Sequence, residues 1–112
     1  MKPKVSTETI TPDIARTMLE AMGPNRRVIQ SHVESLAEDM RRGAWIQEAG
    51  DPIRFNVDGD LIDGQHRLWA VLESGIEQRF FVIRNLRHET MDVLDTGKRR
   101  SLKDFLEIKG EK

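Results

Sequence analysis

The ten residues Leu61-Ile62-Asp63-Gly64-Gln65-His66-Arg67-Leu68-Trp69-Ala70 constrain the fold more than any other segment. The apolar pair reads as a strand end, Asp63-Gly64 as a turn, and the residues after it as a helix. Leu68, Val71 and Leu72 stand at i, i+3 and i+4, so one helix face is apolar and can pack back on the strand. Gln65, His66 and Arg67 then occupy the first helical turn, where backbone N–H groups lack intrahelical partners and the dipole is positive. A cationic side chain there opposes the dipole of the helix alone. An anion reverses that balance, because guanidinium, imidazole and N–H groups can all donate to it. The segment has the physical signature of a phosphate site.

The flanking pattern is mixed α and β. Thr11-Pro12-Asp13 is a helix start, with Thr as N-cap, Pro at the first helical position and Asp in the first turn. Ile14, Met18, Leu19 and Met22 give that helix an apolar face, ended by Gly23-Pro24. Ser31 with Glu34 predicts a capping box for a second helix, whose apolar positions are Val33, Leu36, Ala37 and Met40 and whose stop is Gly43. Trp45 to Gly50 reads as a loop. Pro52 to Val57 alternates with period two, as does the segment after Asp58-Gly59, which predicts a β-hairpin. The helix that follows ends near Ser74-Gly75, and Gln78 to Ile83 is an apolar strand expected beside the hairpin. Helical signals resume at His88 to Leu94, stop at Thr96-Gly97, and restart with Ser101 as N-cap for Leu102 to Ile108.

A chain of 112 residues makes one domain with a modest core. With 33% charged residues and a mean hydropathy of −0.55, it is expected to be soluble and cytoplasmic. No stretch is apolar for long enough to span a bilayer. The absence of cysteine excludes disulfides, a thiol catalyst and a thiolate metal site. A net charge of −1 excludes an all-over basic coat but leaves room for a local patch, the densest being Lys98-Arg99-Arg100. The final amphipathic segment is barely two turns long, and such a helix needs a partner to pack on. The expectation is either an N-terminal domain cut from a longer protein or a natural minimal version.

Asp63-Gly64-Gln65-His66-Arg67 resembles the Gly-Glu-Arg-Arg box of ParB-type partition proteins and the Gly-Cys-His-Arg box of sulfiredoxins. It is most similar to ParB-like proteins with an Asp-Gly-Gln-His-Arg motif, found in phages and DNA-modification systems. The resemblance covers the chain from about Pro24 to Arg100, including a helix from Gln30 to Arg42. It implies a compact α/β (α+β) domain of the ParB N-terminal/sulfiredoxin type, with a small mixed sheet surrounded by helices. It also implies a nucleoside di- or triphosphate held by Gly64, Gln65, His66 and Arg67 with help from Asn85 and Arg87. Asn85-Leu86 matches in place the ParB segment Glu-Asn-Leu-Gln-Arg, with Arg84 where that segment has Glu. The setting implied is a phage or mobile-element DNA transaction, with the nucleotide, DNA and a second copy of the chain as partners.

Each candidate also has a plainer reading. Gly64 permits positive φ and close approach of a phosphate, or serves a simple strand-to-helix turn. Gln65 stands where sulfiredoxins have Cys; it is neither base nor nucleophile, so that repair chemistry is excluded, while its amide can orient a phosphate oxygen or a water. His66 and Arg67 supply donors to phosphate, or Arg67 pairs with Asp63 or Glu73 and His66 is satisfied by a carbonyl. Asp63 caps the helix, or joins Asp58 or Asp60 as an oxygen ligand of Mg²⁺ bound to phosphates. Trp69 stacks on a base or covers a small core. Asn85 contacts nucleotide or shapes a polar turn. Lys98, Arg99 and Arg100 lie along DNA phosphates, or form a solvated linker behind a cap at Gly97.

Three functions therefore compete. They are a nucleotide-dependent switch, a DNA-binding module using the box for backbone phosphate, and a nucleotide hydrolase, small-molecule kinase or nuclease. The enzyme would need a carboxylate base near the box, for which Asp63, Glu73 and Glu89 are the candidates.

Overall fold

Strands form where β-branched and aromatic residues cluster, and helices where apolar residues recur at helical spacing. The computed structural model describes residues 2–22, 27–47 and 50–90. In chain order these form β1 (Lys4–Ile10), α1 (Pro12–Glu20), α2 (Gln30–Arg41), β2 (Ile53–Asn56), β3 (Leu61–Asp63), α3 (Gln65–Ser74) and β4 (Gln78–Leu86). The strands make one mixed sheet in the order β1-β4-β2-β3. β4 runs antiparallel to β1 and parallel to β2, and β2 and β3 form the antiparallel hairpin. The fold is α+β.

The core lies between the sheet and the helices. Ile53, Phe55, Leu61, Phe80 and Val82 meet Leu68 and Val71 of α3, with Met18, Leu19, Ala37 and Met40 closing the sides. α3 packs against both α1 and α2, so the box helix is the central helix of the fold. Among the described residues no helix is long and apolar enough to cross a membrane.

Several local expectations hold. Thr11 is the N-cap of α1, its Oγ1 accepting from the Ile14 N–H at 3.2 Å, with Pro12 behind it. The hairpin turns through Asp58-Gly59, where Gly59 has φ +86° and the Asn56 Oδ1 accepts from the N–H groups of Asp58 at 2.9 Å and Asp60 at 3.0 Å. α3 ends on Gly75 in the left-handed region, its N–H returning to the Val71 carbonyl.

Others are corrected. Ser31 is not an N-cap: the N-cap of α2 is Ile29, two residues earlier, and the helix has no side-chain cap of its own. A capping box would satisfy the Ile29 N–H from within the helix. Here the His66 Nε2 accepts it at 3.0 Å from α3, so a tertiary contact sets the start. β4 runs past Ile83 to Leu86, because β1 pairs with it as far as Arg84 and Asn56 of β2 stands opposite Leu86. β1 was not anticipated; Val5, Thr7 and Thr9 alternate there, but the pattern is half polar and gains meaning only from its partner β4. The stop at Gly23-Pro24, the cap at Gly97, the basic run Lys98, Arg99 and Arg100, and the helix from Leu102 to Ile108 lie outside the described residues.

Candidate functional site

Gly64 joins β3 to α3 with φ +111° and ψ 8° and is the N-cap of the helix, with no side chain capping it. Only glycine adopts such a φ readily. A Cβ there would also lie 2.6 Å from the Ile53 Cδ1 and 3.3 Å from its Cα. The requirement for glycine thus comes from the turn and from packing on β2. Beside this uncapped end opens a cleft of about 370 Å³, lined by Gly64, Gln65, His66 and Arg67 from the box. The box forms one wall, and His32, Trp45 and Asp51 approach from α2 and from the chain leading into β2.

Gln65 is the first residue of α3 and is only 8% exposed. The residue lines the cleft, and its side-chain amide makes no hydrogen bond among the described residues. Buried amides are almost always partnered, so one without a partner among the described residues, on a residue that lines a cleft, points to something that enters it.

One ring nitrogen of His66 is engaged within the protein. Its Nε2 accepts the Ile29 N–H, which places the imidazole proton on Nδ1 and keeps the ring neutral. Burial is the main cause of a pKa below the ordinary 6.5, with the neighbouring His32 and Arg67 acting in the same direction and Asp63 against them. The His32 and His66 rings lie 4.7 Å apart, tilted by 36°.

Arg67 is likewise committed to the protein. Its Nη1 donates to the Asp51 carbonyl and, at 3.0 Å, to the Pro52 carbonyl. Its Nη2 lies 3.7 Å from the Asp63 Oδ1, while the Arg54 Nη1 is 2.5 Å from the Asp63 Oδ2. Asp63 is thus a carboxylate held between two guanidinium groups, neither the cap of α3 nor a fit for Mg²⁺. The same clamp ties the chain before β2 to the first turn of the box helix. Both the pairing of Arg67 with Asp63 and the two carbonyl bonds favour the plainer reading of this arginine.

The remaining candidates are dispersed. Asn85 sits near the end of β4 with φ +66°, a conformation Asn tolerates better than most residues. Its Nδ2 donates to the Lys2 carbonyl at 3.4 Å. It lines a separate hollow with Thr17, Asn56 and Asp58 at the hairpin-turn end of the sheet. Arg87 follows β4 and is exposed, its carbonyl accepting from the Thr90 N–H. Neither residue lines the box cleft. The parallel register explains why: β4 reaches Leu86 opposite Asn56, whereas the box begins opposite Arg54 at the other end of β2.

Asp58 and Asp60 lie at the hairpin turn, across the length of β3 from Asp63, and Asp58 pairs with His88 at 2.7 Å. That contact raises the His88 pKa, through the hydrogen bond first and the charge second. Among the described residues no three His, Asp or Glu side chains are grouped to hold a metal ion. Glu73 and Glu89 are exposed, and neither lines the cleft. Trp69 is 39% exposed and does not line the cleft, whereas Trp45 does. Trp45 and His32 belong to no motif; the available signal is an aromatic residue, Trp45, in a segment that reads as a loop.

Comparison of the chain with protein-family models, curated proteins and solved structures gives no match.

Proposed function

We propose that this chain is a ParB-like phosphate-binding domain that takes a nucleoside di- or triphosphate at the N-terminus of α3, as a nucleotide-dependent switch. The observation that carries the reading is the buried Gln65 amide, without a partner among the described residues, beside an uncapped helix end at a cleft. Helix N-terminal N–H groups and a side-chain amide together form a donor set for phosphate oxygens. The His66 Nδ1–H is a further donor available on the box. Arg67 shapes the site by anchoring the chain at Asp51 and Pro52. A role in phage or mobile-element DNA transactions is inferred from the Asp63 to Arg67 motif resemblance alone.

The test is calorimetric titration of ATP, CTP, GTP, their diphosphates and tripolyphosphate, with and without Mg²⁺, into the wild type and Gln65→Met. Saturable binding that Gln65→Met weakens supports the reading. A folded wild type that binds none of these compounds refutes it. Arg67→Ala is the poorer probe, because it also releases the clamp before β2.

A further inference from the structure

We propose, building on the nucleotide reading, that Trp45 and His32 form a base-binding wall in the box cleft. A heteroaromatic ring carried by a phosphate compound stacks on the Trp45 indole while its phosphates occupy the N-terminus of α3. Trp45 lines the same cleft as Gly64 and Gln65 but comes from the segment after α2, so it supplies a surface of different chemistry to the same ligand. Its indole is fixed before any ligand arrives. It lies against the Phe80 ring, centroids 5.3 Å apart and tilted by 54°. Its Nε1–H reaches the Arg79 carbonyl at 3.5 Å. Its benzo edge rests on Gly50, where a Cβ would stand 2.6 Å from Cη2 and 2.8 Å from Cζ2.

A flat aromatic surface held on three sides and only partly buried loses little conformational freedom on binding, which favours stacking. The exposed His32 ring, paired with His66, provides a second aromatic surface on the cleft. A volume of about 370 Å³ is at the lower end of the range for small-molecule sites. Two carboxylates, Asp51 and Asp63, line the cleft with one guanidinium, so charge alone gives little attraction for a bare polyphosphate. The aromatic wall supplies affinity that the charge balance does not.

Trp69 does not line the cleft, and Trp69→Phe leaves Trp45 as the single tryptophan, making indole fluorescence a local reporter. In that background ATP, CTP, adenosine and tripolyphosphate are titrated, with calorimetry alongside. Nucleotides are expected to quench Trp45 and to bind about 5- to 100-fold more tightly than tripolyphosphate, the range for stacking one base on an aromatic side chain. Trp45→Leu removes that advantage and leaves tripolyphosphate affinity unchanged, while Trp45→Phe, which keeps a smaller ring and protects against a failure to fold, retains part of it. Tripolyphosphate binding as tightly as nucleotides, with Trp45→Phe altering neither, overturns the base wall and leaves the phosphate site standing. Adenosine binding with quenching, without tripolyphosphate binding, keeps the wall and overturns the phosphate site. Binding of none of the four overturns both.

Discussion

Replacing Gln65 by Met should stabilise the ligand-free protein and weaken the anion site in one step. Gln65 is buried, and its amide finds no partner among the described residues. A desolvated amide left without hydrogen bonds costs about 1–3 kcal/mol. Met has a similar length and volume, adapts to irregular surroundings and has nearly the same helix propensity. The substitution therefore removes the polar atoms and little else. Ligand-free stability should rise by about 1–2 kcal/mol, which in a domain of this size lifts Tm by roughly 4–8 °C. Binding of tripolyphosphate should weaken about tenfold, the loss of one hydrogen bond to a charged group. Scanning calorimetry on the ligand-free proteins and isothermal titration on the same samples read both quantities. A residue kept for packing would give no such opposite signs. A fall in Tm of the ligand-free variant would show that the amide makes hydrogen bonds the fold needs, and the site argument would lose its main support.

Gly64→Ala should cost about 2–4 kcal/mol in urea denaturation, from the φ of +111° and the contact with Ile53. Adding Ile53→Val removes the Cδ1 in the way, so the double variant should be more stable than the sum of the two single losses predicts. Asp63→Asn should lose about 3 kcal/mol, because it leaves Arg54 and Arg67 part-buried with their common carboxylate gone; a loss below about 1 kcal/mol would mean the clamp contributes little. His66 makes stability depend on pH with a definite sign. Its folded pKa lies below the ordinary 6.5, so on acidification the unfolded chain takes the proton first. Stability is full above about 6.5, declines as pH falls from there to the folded pKa, and is flat below it. The difference in urea midpoint between the wild type and His66→Gln at pH 8, 6.5 and 5.5 should show this decline, free of the opposite contribution of His88, whose raised pKa adds stability on acidification.

Much of the local architecture was legible because it depends on near neighbours in the chain. Thr11-Pro12-Asp13 marks the start of α1, Asp58-Gly59 turns a hairpin, and Leu68, Val71 and Leu72 face one way wherever α3 is placed. The strand-turn-helix of the box, including positive φ at Gly64, follows from ten consecutive residues. Ser31 misled because a capping box is a local rule, and the Ile29 N–H took a partner 37 residues away.

What the site's polar groups do was decided only by the tertiary structure. Arg67 and His66 have the chemistry of phosphate donors in sequence, yet one ties down Asp51 and Pro52 and the other accepts a hydrogen bond from a backbone N–H. Asn85 and Arg87 looked like extra box residues until the parallel pairing of β2 and β4 carried them to the far end of the sheet. Gln65, Trp45 and His32, by contrast, were brought to one cleft from three separate segments. A side chain's type and its place on a helix or strand follow from short-range periodicity. Its partner follows from strand register and helix packing, which are set by burying the core as a whole.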